Sequence, residues 1–280
     1  MKKIYILLIF VFSSLLLSGQ EKNPTPVVEY ITETNILYRD KTKEKLTSYM
    51  DSLCRLDIYY PKNLKNFTTV VWFHGGGLYT GTRYLPEQLM NQGIAVIAVS
   101  YRLYPRVKCP VYIEDAAAAV AWTFNNIQKY GGDPGKILVS GHSAGAYLTM
   151  MIGLDKRWLA PYNIDPDKIF ALVPFSGQTV THFTIRKERG IPEKQTIVDD
   201  YAPLYHARAD APPMVLITGD RELEIFGRYE ENAYMMRMMK ENGHKSTYLY
   251  ELDGFNHGDM AVPAFHILLH HLNELNKAKP

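Results

Sequence analysis

Gly141-His142-Ser143-Ala144-Gly145 puts a serine in a G-x-S-x-G pattern. A serine hydroxyl is a weak nucleophile until a base takes its proton and a tight turn holds it clear of the chain. The apolar run Ile137–Ser140 before it reads as a strand and Ala144–Leu154 after it as a helix. Glycine-flanked serines are common in turns, so the strand–turn–helix setting is what carries the reading. The flanking glycines have a geometric reason, because side chains on either side of so sharp a turn would clash. The hydroxyl then stands at a helix N-terminus, whose dipole favours negative charge.

A serine that attacks a carbonyl also needs donors for the oxyanion that develops. His74-Gly75-Gly76-Gly77 follows the β-branched run Thr69–Phe73. The backbone N–H groups of Gly76 and Gly77, with that of Ala144, are the candidate donors, since glycine lets a backbone approach a substrate closely. The same stretch, Gly75 to Gly81, has a weaker likeness to a dinucleotide-binding loop. It lacks a clean G-x-G-x-x-G, and no acidic residue ends the next strand, where Val99-Ser100-Tyr101-Arg102 stands.

Nine histidines are available as the base. His257 is the best placed, in a turn between the last strand and the last helix. His142 is too close to Ser143 on the elbow to face it. His182 and His206 fall in a polar insertion and read as surface or lid residues, and His244 follows a helix-stopping glycine. His266 and His270 have i,i+4 spacing, but Ile267 stands where a zinc-protease motif has Glu, so a helix face is the better reading. The orienting carboxylate is sought after the strand Met214–Thr218, in Gly219-Asp220-Arg221-Glu222-Leu223-Glu224. Asp220 and Glu222 are both candidates there, and strand periodicity does not choose between them. A Gly-Asp pair at a strand end also has a structural explanation, since Asp side chains commonly bond their own turn backbone.

Together, His74-Gly75-Gly76-Gly77, Ser100-Tyr101-Arg102-Leu103-Tyr104-Pro105, Glu114-Asp115, the Ser143 elbow and Gly254-Phe255-Asn256-His257-Gly258 resemble the α/β-hydrolase superfamily. Within it they resemble carboxylesterases related to hormone-sensitive lipase and to bacterial feruloyl and acetyl-xylan esterase-like proteins. The likeness runs from about Leu53 to the C-terminus, and the chain order Ser, acid, His is the one this superfamily uses. It implies an acyl-enzyme mechanism on carboxylic esters, with short acyl groups on sugars or plant polysaccharide as one substrate class. It further implies that Asp115 is a buried structural acid. The family offset from Gly219 points to Glu222 as the triad acid. Many relatives have Asp at that offset, so Glu222 is a departure. An amidase, peptidase or arylformamidase on the same fold is the nearest rival, and an inactive binding protein is a more distant one.

The elements fit this expectation. Short continuous apolar strands at 53–60, 69–73, 94–99, 137–140, 169–173, 214–218 and 247–252 alternate with helical stretches at 84–92, 111–130, 144–154, 226–242 and 263–276. That is the pattern of an α/β fold with a mostly parallel sheet covered on both faces, whose C-terminal strand ends form one functional rim. Ser176–Ala211 breaks the rhythm and reads as a lid-like insertion over that rim.

Hydrophobic residues at 46%, charged residues at 21% and a net charge of +2 describe an ordinary globular chain and exclude the electrostatic footprint of a nucleic-acid binder. No metal or organic cofactor is implied, and the expected partner is a small-molecule or carbohydrate ester. Lys2 and Lys3, the apolar run Ile4–Leu17, and Ser18-Gly19 form a secretory signal pattern, so residues 1–19 are expected to be a signal peptide and 20–280 one hydrolase domain. The apolar run is short for a membrane anchor. A secreted or periplasmic protein is therefore expected. Cys54 and Cys109 permit one bridge, but sequence alone cannot bring them within reach.

Overall fold

The computed structural model describes residues 27–42 and 44–278. The proposed signal peptide lies outside the described residues. Eight strands form one sheet in the order β1-β2-β4-β3-β5-β6-β7-β8. They are β1 (Tyr30–Leu37), β2 (Arg55–Pro61), β3 (Phe67–Phe73), β4 (Ala95–Val99), β5 (Gly132–His142), β6 (Ala171–Phe175), β7 (Met214–Gly219) and β8 (Thr247–Leu252). β2 runs antiparallel to both β1 and β4, and every pair from β4 across to β8 is parallel. The expected mostly parallel sheet is therefore what the chain adopts. The first strand, β1, is a half-exposed antiparallel edge. Its polar sequence lacks the buried apolar run by which the central strands announce themselves.

The sheet has two apolar faces because successive side chains of a strand point opposite ways. Val71 and Phe73 of β3 pack with helices α2 (Val111–Tyr130), α3 (Ala144–Leu154) and α5 (Arg228–Glu241). Val70 and Trp72 of the same strand join Phe265, Leu268 and Leu272 of α6 (Ala261–Ala278) on the other face. Four successive alanines, Ala116–Ala119, let α2 lie close to the sheet. The helix ends at Gly131, whose φ of 98° takes the left-handed cap that other residues disfavour.

Two local expectations are corrected. Residues 84–92 do not form a helix; only a single 3-10 turn, Glu87–Leu89, is present. Pro86 biases the residue before it away from the helical region, and Asn91 turns left-handed at φ 60°. A short helix, α1 (Ser48–Leu53), forms where none was expected, capped by Thr47, whose side chain accepts from the Met50 N–H.

Ser176–Ala211 leaves the end of β6, but its first part is not a polar cover. Ser176, Gln178, Thr179, Val180, Thr181 and His182 are all buried. They lead into α4 (Phe183–Glu188). His182, expected at the surface, is 1% exposed and caps α4 by accepting from the Thr184 N–H. His206 is half-buried, and its ring bonds the Asp200 carbonyl.

Candidate active site

The rim at the C-terminal ends of β3, β5, β6 and β7 collects the reactive groups. Ser143 sits between β5 and α3 at φ 55° and ψ −113°, a conformation non-glycine residues rarely adopt and one typical of functional strain. Its N–H donates to the Phe175 carbonyl at the end of β6 (2.8 Å), which holds the turn. A Cβ at Gly145 would overlap the carbonyls of Phe73 and His74, so glycine there is what lets α3 close against the end of β3. Ser143 is 9% exposed.

His257 reaches Ser143 from the turn between β8 and α6, with Nε2 2.9 Å from the serine Oγ. Several bonds hold that turn in place. The Asp220 N–H donates to the Phe255 carbonyl (2.8 Å), and the Gly254 N–H donates to Asp220 Oδ2 (2.9 Å). His142 does not face Ser143; its Nε2 donates to the carbonyl of His257 (2.7 Å). Burial, with help from the neighbouring His257, pushes the His142 imidazole down to about 4, so it adds no charge beside the base.

The carboxylate on His257 is Glu224, which corrects the expectation of Glu222. Glu224 Oε2 lies 2.8 Å from Nδ1, and its side chain is 1% exposed. Glu222 is exposed. The reason is local. Leu223 and Glu224 both donate their N–H to the Asp220 carbonyl, so the chain after β7 coils into a helical turn rather than running on extended. The turn carries Glu224 back over the strand end, where the Gly219 N–H donates to its Oε1 (3.0 Å). Asp220, the other candidate, ties the turn together by accepting from Glu222 N (2.9 Å) and Gly254 N. Burial alone would raise the Glu224 carboxyl; hydrogen bonds from His257, Ser176 and Gly219 outweigh it and hold the group at about 2.

A serine that sequence reasoning missed completes this corner. Ser176 is fully buried, and its Oγ donates to Glu224 Oε1 (2.6 Å) while lying 2.9 Å from His257 Nδ1. Its position just past a strand end was the only signal available.

The glycine loop lies alongside the nucleophile. A Cβ at Gly75 would stand 3.4 Å from that of Ser143. Gly76 and Gly77 both have positive φ, 107° and 62°. The Gly76 carbonyl accepts from Tyr79 N and Thr80 N, and the Gly77 carbonyl accepts from the Thr184 hydroxyl of α4. Ala144 is the first residue of α3, where the helix itself offers its N–H no acceptor. His74 stacks on Tyr101 at 4.4 Å, and burial lowers its imidazole to about 4. Beside this loop lies a cavity of about 520 Å³ lined by Tyr79, Tyr104, Pro105, Phe183, Thr184 and Lys187 among others.

Asp115 is fully buried and accepts from both Arg102 and Arg39. The two cysteines are free; Cys54 points its thiol at Asp115 instead. His266 and His270 are exposed on α6, and no metal-binding cluster of His, Cys, Asp or Glu occurs among the described residues. No helix among them is long and apolar enough to cross a membrane.

The BD-FAE family model matches residues 56–226. Esterase LipC of Mycobacterium tuberculosis is 26% identical over 74% of this chain and 57% of its own length. The probable carboxylic ester hydrolase LipM of the same organism is 30% identical over 65% of this chain and 49% of its own. The chain thus spans about half the length of the curated relatives it matches. A truncated carbohydrate esterase from gut microbiota superposes with a TM-score of 0.72 at 17% identity, covering 88% of this chain and 96% of that one. Esterase 2 of Thermogutta terrifontis, phosphoramylated by tabun, superposes at 0.69 with 23% identity, covering 87% and 94%. The fold is that of the α/β-hydrolases.

Proposed function

The chain belongs to the BD-FAE family, and from that membership we propose that it is a serine hydrolase cleaving carboxylic esters through an acyl-enzyme. One observation carries the proposal: an unbroken hydrogen-bonded series from Ser143 Oγ to His257 Nε2 (2.9 Å), and from His257 Nδ1 to Glu224 Oε2 (2.8 Å). In the first half-reaction Ser143 Oγ attacks the ester carbonyl while His257 Nε2 takes its proton. The oxyanion forms against the N–H groups of Gly76, Gly77 and Ala144. The C–O bond to the alcohol then breaks, and the alcohol leaves with the proton held on Nε2. In the second half-reaction water gives its proton to Nε2 and its oxygen to the acyl carbon, and Ser143 departs reprotonated. Glu224 keeps Nδ1 protonated and turned toward itself throughout, and stabilises the imidazolium.

The substrate we propose is an ester with a short acyl group, on a sugar or plant polysaccharide. The aromatic wall of Tyr79, Tyr104 and Phe183 beside the glycine loop supports a discriminating pocket. The carbohydrate esterase among the structural neighbours supports a sugar as the alcohol. The N-terminal pattern supports action outside the cytoplasm, with residues 20–280 as the working domain.

A fluorophosphonate probe followed by peptide mass spectrometry tests the chemistry. Adduct on Ser143 is expected, and a folded protein that does not label would overturn the proposal. Chromogenic esters of increasing acyl length, run beside acetylated and feruloylated xylan, test the substrate class. Preference for an anilide over the matched ester would move the reading to an amidase.

A further inference from the structure

We infer that Ser176 is a positioning residue of the catalytic relay, clamping the Glu224 carboxylate and sharing the Nδ1 proton of His257. The inference rests on the esterase reading of the Ser143 site.

An ionised carboxylate can only accept hydrogen bonds, so the 2.6 Å contact between Ser176 Oγ and Glu224 Oε1 uses the serine proton. That leaves the Oγ lone pairs to face His257 Nδ1 at 2.9 Å. The Nδ1 proton therefore has two acceptors, Glu224 Oε2 at 2.8 Å and Ser176 Oγ. Serine, carboxylate and imidazole form a closed triangle in which each group limits the rotation of the other two. Apart from Ser176, the Gly219 N–H is the donor that holds Oε1.

The backbone of Ser176 is held as firmly as its hydroxyl. Its φ of 51° lies in the region that favours glycine, yet a serine occupies it. Its N–H donates to the Ile217 carbonyl of β7 (2.7 Å), and its carbonyl accepts from the buried Arg228 of α5. The residue before it, Phe175, supplies the carbonyl that holds the Ser143 N–H. The end of β6 thus fixes the nucleophile's turn through one residue and the acid–base pair through the next. Ser176 is fully buried, so its hydroxyl is bonded to protein groups within the relay rather than exposed to bulk water.

The test uses Ser176→Ala and Ser176→Gly in the full chain. Glycine adopts φ near 51° without strain, so Ser176→Gly keeps the backbone and deletes only the hydroxyl. Both variants are expected to lower kcat by about 10- to 100-fold, the worth of one hydrogen bond to a charged group, with KM little changed. The rate of fluorophosphonate labelling should fall in parallel. Thr179→Val removes a buried hydroxyl from the same segment with no contact to the relay, and should lower thermal stability without slowing labelling. In a double-mutant cycle, Ser176→Gly in a Glu224→Gln background should cost little beyond Glu224→Gln alone, because Ser176 acts through that carboxylate. Wild-type-like kcat in a folded Ser176→Gly variant would overturn the inference, as would fully additive losses in the cycle. A wild-type protein that fails to label at all would instead sink the esterase reading.

Discussion

At the residue scale the choice among acids after β7 is the sharpest point. Glu224 holds His257, Glu222 faces solvent and Asp220 braces the turn. Glu224→Gln is expected to cut kcat by about 10³- to 10⁴-fold, since an amide leaves the imidazole in the wrong tautomer. Glu222→Gln should leave turnover within twofold, as exposed charges contribute little. Equal losses in both would return the assignment to open competition. The low carboxyl of Glu224 has a further consequence. Its folded value, about 2, lies below the ordinary carboxylate range, so it stays ionised as pH falls from 7 toward 3. Titration of Glu224 should therefore add no step to the acid limb of the rate as pH falls from 7 to 4. A second protonation on that limb above pH 4 would contradict the Glu224 environment. The same depressed value stabilises the fold above the ordinary carboxylate range, and that contribution is lost as pH falls through about 2.

At the element scale the site depends on close approaches that only glycine permits. Gly145→Ala would drive a methyl into the Phe73 carbonyl and force α3 away from β3. The expected cost is about 1–3 kcal/mol in a thermal melt, with loss of activity larger than the melt alone explains, because Ser143 rides on the same turn. A variant with native melting and turnover would mean the elbow tolerates the shift. The segment from Ser176 through α4 acts at two levels. Its buried first part braces the relay, whereas Phe183, whose ring sits beside Gly77 and against Tyr79, lines the cavity. Phe183→Ala is therefore expected to change the ratio of rates on short and bulky esters rather than all rates alike, read from kcat/KM across an ester series. A uniform loss would assign Phe183 to structure.

At the scale of the whole molecule Asp115 ties the loop after β1, the loop after β4 and helix α2 together through Arg39 and Arg102. Burial opposes its charge, but the two guanidinium groups more than offset that and keep the carboxyl below its usual range. Asp115→Ala would strand two cations against a buried void. A loss of about 3–5 kcal/mol is expected, seen as a fall in Tm, whereas fluorophosphonate labelling of the protein that remains folded should persist. The sign with pH follows from the depressed value. The stabilisation is complete above the ordinary carboxylate range and fades only as pH falls below it. A melt of Asp115→Ala that matched the wild type would show the cluster to be replaceable.

The strand–helix alternation, the Ser143 elbow, the glycine loop and the His257 turn are legible in the sequence because each rests on local constraints. These are apolar runs long enough to be buried strands, glycines where a side chain cannot fit, and a polar turn at a strand end. Asp115 as a structural acid was legible only through resemblance, since nothing local says which charges will meet it. The edge strand β1 and helix α1 carry no buried run and so gave no signal. Tertiary structure alone decided the acid. Whether Asp220, Glu222 or Glu224 meets the imidazole depends on how the chain coils after Gly219, and that coil is set by bonds to Phe255 and Gly254 more than thirty residues away. Ser176 is hidden for the same reason. Its hydroxyl has meaning only once β6, β7 and the β8–α6 turn lie side by side, because a hydrogen-bonded triangle drawn from three distant segments leaves no spacing in the chain to read.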